Sequence, residues 1–547
     1  MDDLVSSLMI TAPKAIVHLR AQQSRKRLGL IFGSGASKNL KFPDWNLLVN
    51  RIAAHRSVNG KAIVTNLRGD GKKGQPPVKS LASITQVLFD RFRRRWIARS
   101  SIDGSLTFLQ ERKIRSEWLE IIHRALYRDV DPTKRRRQLE KHPYLTAFRE
   151  IIKESPLTVN YNFDDSLEKM LMYARESDDL LKTRGYEVTD KPNAQFQKEA
   201  GIIYHPNGFL PSIFEDGTSA DVVFSDDAFQ DRLISAAAGK YLHLSNHLFR
   251  NTCLLIGLSL DDTTLQSLLR QNAVTNPGHI HYVAHFVPDD AVLSHEDRSA
   301  IFESNFSAYN LYTLFLGNKG IRALADIISM SEQDFAQRCP NVHRKFVYYV
   351  VGSIGAGKST AAANFRSLIT YDEWIDERRP ELAKAEHGFG RHVIEELNEW
   401  VREQLRKKNY ALIQAKEGIH LIDRSPLDPL SFGRASERRK KAEQLLKHIT
   451  AEGAWSIEKG QVVFLQSNLE DIQNRTSLKH KYWKPFELKK HMKDLEAVYG
   501  PTGRSIISTV GRGPLEVARE IARAIFLDDY QTVDIEEELR RVCKRKR

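Results

Sequence analysis

An apolar run rich in β-branched and aromatic residues, Lys345–Val351 (KFVYYVV), leads directly into GSIGAGKST, Gly352–Thr360, and then into the helix-compatible AAANFRSL. Gly352, Gly357, Lys358 and Ser359 satisfy G-x-x-x-x-G-K-[ST]. A buried strand, a tight glycine-rich turn and a helix N-terminus follow one another here, the context expected at the start of an open α/β sheet, the alternative being an ordinary tight turn between strand and helix. The glycines let consecutive backbone N–H groups turn inward around phosphate oxygens, and the helix start adds a favourable dipole. Gly352, Gly355, Ala356, Gly357, Lys358, Ser359 and Thr360 are therefore expected at the phosphates of ATP or another nucleoside triphosphate. Lys358 would reach the β- and γ-phosphates and Ser359 would hold Mg²⁺.

A second strand–glycine-turn unit lies near the N-terminus: LGLIF, Leu28–Phe32, followed by GSGAS, Gly33–Ser37. On its own this reads equally well as an ordinary tight turn. A chain of 547 residues exceeds what one hydrophobic core supports, and two such starts predict two nucleotide-binding domains in tandem. Further strands are expected at Pro156–Val159, Thr252–Gly257 and His281–Phe286, and then at Leu368–Tyr371, Ile419–Ile422, Val462–Leu465 and Ser505–Thr509. Charged amphipathic stretches such as His392–Lys408 suit helices packed on a sheet. Between the first loop and about residue 150 the chain reads as helical, apart from the loop-like Gly69–Lys79. The polar stretch Ser331–Lys345 marks the boundary. Domains are expected at 1–335 and 343–530, with a basic tail over 531–547.

Composition narrows the setting. No run of 18 apolar residues and no basic-then-apolar leader occurs, so neither a membrane span nor a signal peptide is expected. Three cysteines, Cys253, Cys339 and Cys543, are too few and too scattered for a disulfide framework or a four-cysteine zinc site. These features point to the cytoplasm. The formal charge of +14 favours polyanionic partners, nucleotides or nucleic acid. Its clusters at Arg91–Trp96, Lys134–Arg137, Arg438–Lys441 and Lys544–Arg547 read either as solvated faces or as a nucleic-acid surface.

In the C-terminal half, the strand Ile419–Ile422 ends in Asp423-Arg424-Ser425. An aspartate at a strand's C-terminal end sits where open α/β sheets place ligands. Asp423 would orient Mg²⁺ or accept a proton, and Arg424 would hold a phosphate, unless Ser425 or Asp428 simply caps a helix beside a solvated Asp423. Asp372 and Glu373 face an acceptor or form an acidic turn. Arg475, Lys479 and Lys481 form a basic lid over transferring phosphates, or a plain basic helix. Loop, DRS strand end and basic segment together resemble the P-loop kinases of small molecules, particularly deoxynucleoside- and nucleotide-kinase-like members, over roughly Lys345–Tyr530. The resemblance implies a P-loop NTPase/kinase-like α/β domain.

In the N-terminal half, four elements follow in order: Gly33-Ser34-Gly35-Ala36-Ser37, Tyr161-Asn162-Phe163-Asp164, the Tyr204–Pro211 segment, and Gly257-Leu258-Ser259-Leu260. They resemble the sirtuin-like NAD-binding family, especially its prokaryotic antiviral-defence branch, over roughly Leu28–Leu269. The resemblance implies a Rossmann-like sirtuin-type domain with a helical insertion. It places Gly33–Ser37 over the NAD pyrophosphate, Asn162 and Asp164 beside the nicotinamide ribose, and Gly257, Ser259 and Leu260 on the adenosine side. Asn162 supplies both donor and acceptor for positioning a ribose and a water. Asp164 would stabilise developing positive charge or hold a ribose hydroxyl. The family carries histidine directly before the glycine of its His-Gly element, whereas this chain reads His205-Pro206-Asn207-Gly208. Either His205 serves from two residues earlier or Asn207 stands in its place. The four-cysteine zinc module of protein-deacylating sirtuins cannot be built here, which favours hydrolysis of NAD itself, with no zinc.

These readings combine into an NAD hydrolase releasing ADP-ribose and nicotinamide, regulated by a nucleotide-binding P-loop domain. It would act in antiviral defence, be held in check by oligomerisation or a partner, and answer to a phage-derived trigger. The alternatives are a nucleoside or nucleotide kinase with an NAD- or ADP-ribose-sensing N-terminal domain, and a nucleotide-gated nucleic-acid-binding scaffold.

Overall fold

Among the described residues twelve short strands, five of them buried along their whole length, form two separate parallel sheets, and each sheet is centred on one of the two glycine-loop strands. The computed structural model describes residues 2–68, 79–101, 104–175, 186–191, 199–214, 217–238, 241–260, 262–340, 342–383, 390–478 and 484–544. The chain divides into two units, one of Met1–Val5, Gln22–Gln271 and His281–Asp334, the other of Ser6–Ala21, Asn272–Ile280 and Phe335–Arg547.

The first unit holds β1 (Leu28–Phe32), β2 (Thr158–Asn160), β3 (Glu187–Thr189), β4 (Ile202–Tyr204), β5 (Thr252–Ile256), β6 (His281–Phe286) and β7 (Leu311–Leu316) in the order β3-β4-β2-β1-β5-β6-β7. All neighbours are parallel. After β4 the chain crosses to the other side of β1, so the topological switch lies at β1, where open α/β sheets form their ligand crevice. Phe32 is in register with both Asn160 and Ile256. The residues just after β1, β2 and β5 therefore emerge at one level.

The expected helical region is an insertion whose core comes from regular spacing. Ile84, Leu88, Phe92 and Trp96 recur every four residues along the helix Leu81–Arg99 and are all buried. They meet Leu48 and Ile52 of the helix Trp45–Ala54 and Ile114, Trp118 and Ile122 of the helix Phe108–Leu126. In RFRRRW the aromatic residues thus turn inward and leave the arginines outside. The loop expected at Gly69–Lys79 lies almost wholly outside the described residues.

The second unit holds β8 (Lys345–Gly352), β9 (Ile369–Tyr371), β10 (Gly418–Asp423), β11 (Gln461–Gln466) and β12 (Arg504–Ser508), all parallel, in the order β12-β11-β8-β10-β9. Its switch point is at β8, which runs into Gly352–Thr360. Two segments expected in the first domain group with this unit instead. The buried face of Ala15, Ile16 and Leu19 is one reason. Others are the bonds of His18 Nε2 to the Ser367 carbonyl at 3.3 Å and of Arg20 Nε to Glu417 at 3.1 Å. Gly278 packs so closely on the Phe365 ring that a Cβ there would sit 2.8 Å from it. The C-terminal stretch also departs from the expected tail. Ile535–Lys544 is a helix, because Ile535 and Leu539 are spaced to enter the core beside Ala442 and Leu445; residues 545–547 lie outside the described ones. Among the described residues no helix is long and apolar enough to cross a membrane.

Candidate functional site

In the first unit the glycine turns after β1 and β5 interlock. Gly33 N donates to the Ile256 carbonyl at 3.0 Å, and Gly35 N donates to the Gly257 carbonyl at 2.9 Å. Gly257 has φ +68°, and a Cβ on it would lie 2.4 Å from Ala36 N. Only glycine suits this position on both counts. Ser34 and Gly35 remain exposed above the crevice, Ala36 and Ser37 are buried beneath it, and Ser259 is exposed at its β5 side. Leu260 adopts φ +61° with its carbonyl accepting from Gln266 Nε2 at 2.5 Å.

Asn162, two residues beyond β2, is brought against this loop. Its Nδ2 donates to the Gly33 carbonyl and to Ser37 Oγ, each at 3.0 Å. Ser37 Oγ in turn donates to Asp164 Oδ2 at 3.0 Å, and Ser166 N donates to Asp164 Oδ1 at 3.0 Å. The amide is thereby fixed in one orientation. Among the described residues nothing bonds to its Oδ1, which leaves an acceptor at the half-buried end of β2. Asp164 itself is buried, and burial pushes its carboxyl up. It braces Ser37 from below instead of standing in the crevice, where the sequence placed it.

His205 is also corrected. Its side chain is 0% exposed, and both ring nitrogens are engaged, Nδ1 with the Asn162 carbonyl at 2.9 Å and Nε2 with Glu168 Oε1 at 2.8 Å. Burial pulls the imidazole down, but the Glu168 carboxylate outweighs this and holds it above its ordinary value. An imidazole so enclosed cannot reach a ligand; it holds the Asn162 backbone. Asn207, the other candidate, donates from Nδ2 to the Tyr161 carbonyl at 3.0 Å and accepts from Arg232 on Oδ1. Arg232 is buried and also bonds Asp262 and Thr264 Oγ1. Arg232 stands apart from the motifs in sequence, and Glu168, four residues beyond Asp164, carries no signal that separates it from a solvent-facing helix charge.

In the second unit Gly352, Gly355 and Gly357 have φ of +150°, +82° and +96°. A Cβ on Gly352 would lie 2.6 Å from the Leu465 carbonyl of neighbouring β11. Lys358 Nζ donates to the Gly352 and Ser353 carbonyls at 3.0 Å each, folded back over the loop. Burial, aided by Arg424, lowers its pKa. Ser359 Oγ donates to Asp423 Oδ2 at 2.6 Å. Asp423 ends β10, is 1% exposed, and its Oδ1 has no hydrogen-bond partner. It is therefore not the solvated residue that a capping arrangement would leave, although Ser425 Oγ does accept from Leu427 N at 3.1 Å. A hydroxyl beside an orphaned carboxylate oxygen is a donor pair that suits Mg²⁺. Among the described residues no larger cluster of metal-ligating side chains exists.

Beside this pair lies a buried charge network. Arg424, at φ +71°, bonds Glu373 Oε1 at 2.6 Å and Asp428 Oδ2 at 3.5 Å, with its guanidinium over the Trp374 and Phe432 rings. Burial would raise the Glu373 carboxyl, but Arg424 outweighs it and keeps the group below its ordinary value. Glu373 is thus ion-paired with Arg424, while Asp372 is exposed. Lys408, which no sequence motif singles out, donates to the carbonyls of both Glu373 and Asp423 at 2.8 Å. Arg475 spans the Thr509 carbonyl at 2.8 Å and the Ala356 carbonyl at 3.5 Å; Lys479 and Lys481 lie outside the described residues. Thr360 is exposed at the loop's end.

The sequence pattern of the SIR2-like domain matches residues 156–314. That span contains Asn162, Asp164, His205 and Gly257–Leu260 but not Gly33–Ser37, which β1 supplies by pairing between β2 and β5. No curated protein matches the chain. Solved structures of deoxyadenosine kinase from M. mycoides are weakly similar. With bound dATP the identity is 12%, with 33% of this chain and 98% of that chain covered and a TM-score of 0.25. With dCMP and dCDP the identity is 11%, with 33% and 97% covered and a TM-score of 0.26. The chain thus carries a SIR2-like domain, which suggests NAD-related activity in general.

Proposed function

We propose that this chain hydrolyses NAD to ADP-ribose and nicotinamide in its SIR2-like unit. The reading rests on Asn162, an amide fixed by the glycine loop through Nδ2 and offering a free Oδ1 at the topological switch. Departure of nicotinamide leaves positive charge on the ribose. A fixed amide oxygen at that point holds a water or a ribose hydroxyl without having to reorganise. Gly33–Ala36 and the Gly257–Leu260 turn line the two sides where the dinucleotide would lie. A hydrolase of this kind running freely would exhaust its host, so control by the phosphate loop and a role in antiviral defence belong to the same proposal. The test is nicotinamide release from NAD by the full-length protein, alone and with ATP, GTP or deoxynucleotides. Asn162→Ala should abolish release while leaving the unfolding midpoint within a few degrees. Absence of release by the unsubstituted protein under every condition sinks the reading.

A second reading has an observation of its own. Glu373, kept ionised by Arg424, stands beside the Ser359–Asp423 pair. Such a carboxylate would take the proton of an acceptor hydroxyl, while Arg424 and Lys358 would hold phosphate oxygens. Mg²⁺ bound at Ser359 and Asp423 would neutralise phosphate charge. A nucleoside or nucleotide kinase follows, tested by transfer of labelled phosphate from ATP to a nucleoside panel and its loss in Glu373→Gln.

A further inference from the structure

The helical insertion carries a feature that neither reading uses. Arginines from three separate segments converge on the turn His55–Asn59. Arg56 lies in the turn. Arg91 Nε donates to the carbonyls of Val58 and Asn59 at 3.0 Å each, and Arg95 Nε to the Ser57 carbonyl at 3.1 Å. Arg99, one helical turn on, uses Nε on the Arg95 carbonyl at 3.2 Å. Arg124 comes from the last turns of Phe108–Leu126, and its charge, with those of Arg56 and Arg99, adds to burial in holding the His55 imidazole below its ordinary value.

Two properties set this patch apart from a solvated face. First, a solvated face intersperses both signs, yet Arg56, Arg91, Arg95 and Arg99 make no ion pair among the described residues. Arg124 has only Glu120, at 3.2 Å in an exposed i,i+4 pair that is worth little. Convergence of five guanidiniums with almost no counter-charge costs the fold repulsion and supports no core. Second, Arg91, Arg95 and Arg99 are oriented through Nε alone. Their terminal nitrogens make no hydrogen bond among the described residues. A planar guanidinium held in this way is pre-organised for phosphate oxygens.

We propose that the Arg56–Arg91–Arg95–Arg99–Arg124 patch binds the phosphate backbone of a nucleic acid. A membrane surface fits less well, because interfacial binding needs apolar anchors. Among the described residues, none of the large exposed hydrophobic side chains lies in the turn His55–Asn59 or on the helix Leu81–Arg99.

The test is fluorescence anisotropy of a labelled 20-nucleotide DNA, single-stranded and duplex, with the full-length protein across a salt series. Arg56→Gln/Arg99→Gln/Arg124→Gln should weaken duplex binding roughly tenfold or more and flatten the log–log salt slope by about three, one for each arginine removed from a phosphate. Lys153→Gln/Arg298→Gln/Lys319→Gln removes the same charge from exposed positions outside every basic cluster and should leave both quantities nearly unchanged. Equal losses in the two variants would reduce the effect to net charge and overturn the proposal. So would unaltered binding in the first variant, binding by neither DNA form, or capture of phosphatidylserine vesicles in place of DNA. These outcomes are independent of nicotinamide release.

Discussion

His205 Nδ1 lies 2.9 Å from the main-chain carbonyl of Asn162, while its Nε2 lies 2.8 Å from Glu168 Oε1. A fully buried imidazole in this position fixes the backbone from which the Asn162 amide projects. In His205→Gln the side-chain amide keeps a donor but cannot bridge both partners. Nicotinamide release should fall about ten- to a hundredfold through kcat with little change in KM, since the ligand surface itself is untouched. The pair also sets a pH dependence. The His205 pKa is raised, so its contribution is complete below the ordinary histidine value of 6.5 and is lost as pH rises through the folded value. The stability difference between the unsubstituted protein and His205→Gln should therefore shrink from pH 6 to pH 9 in urea unfolding. A difference that grows over this range would exclude the assignment.

The interlocked glycine turns make a second expectation. Gly257→Ala places a methyl 2.4 Å from Ala36 N in a backbone at φ +68°. Left-handed strain alone costs on the order of 1–2 kcal/mol, and the close approach adds to it. The Gly33–Ser37 loop must shift to relieve the clash. NAD affinity, read by calorimetry on the Asn162→Ala background so that turnover does not interfere, should weaken together with the unfolding midpoint. A fall in stability with affinity unchanged would place the dinucleotide elsewhere.

The parts of these sites that sequence reveals are those whose chemistry is local. Gly352–Thr360 is legible because positive φ at Gly352, Gly355 and Gly357 demands glycine between a strand and a helix start, and Gly33–Ser37 because Gly33 and Gly35 pass too close to Gly257 for a Cβ. Asn162 and Asp423 are legible as polar residues at the ends of apolar strands. Asp164 and His205 have the right residue types, but their side chains point into the protein, and a two-residue offset or a Ser37 hydroxyl in between decides that. Glu168, Arg232 and Lys408 lie on helices where an isolated charge reads as a solvent-facing one. Only tertiary packing turns them inward. β3, β4 and β7 leave no clear trace in the sequence for a related reason: β3 and β4 span three residues each, too short for alternation to show, and β7 follows a helix with no glycine between them. Grouping of Ser6–Ala21 and Asn272–Ile280 with the second unit is a long-range outcome that a linear boundary cannot contain.

Lys408 offers a test in the second unit. Its ammonium is buried, and burial lowers its pKa from 10.5 to about 8 although Asp423 opposes this. A lysine whose folded pKa is depressed destabilises the fold at neutral pH. The penalty is relieved as pH rises through about 8 and is gone by 10.5. Relative to Lys408→Met, the unsubstituted protein should gain stability between pH 8 and 10, by about 3 kcal/mol at most. At pH 7 the same variant loses the bonds to the Glu373 and Asp423 carbonyls, so phosphoryl transfer should fall even where stability does not. Lys408→Arg, too bulky for that space, should not rescue it. A stability difference independent of pH would show that the ammonium is hydrated in solution.

The last expectation concerns the 2.6 Å hydrogen bond between Ser359 Oγ and Asp423 Oδ2. If this pair receives Mg²⁺, its members share one cation and their substitutions should not add. Ser359→Ala and Asp423→Asn should each weaken MgATP binding roughly tenfold, and the double substitution should cost little more than either alone. ATP binding in EDTA provides the control, because it depends on Lys358 and the loop N–H groups and not on the pair. Lys358→Ala should weaken binding with and without Mg²⁺, roughly ten- to a hundredfold, the range expected for one charge-assisted bond to phosphate. Additive losses in the double variant, equal in Mg²⁺ and in EDTA, would mean that Ser359 and Asp423 merely brace the loop. Asp423 Oδ1 argues for the first outcome. A buried carboxylate oxygen without a partner is costly in an isolated fold, and a cation at that oxygen removes the cost.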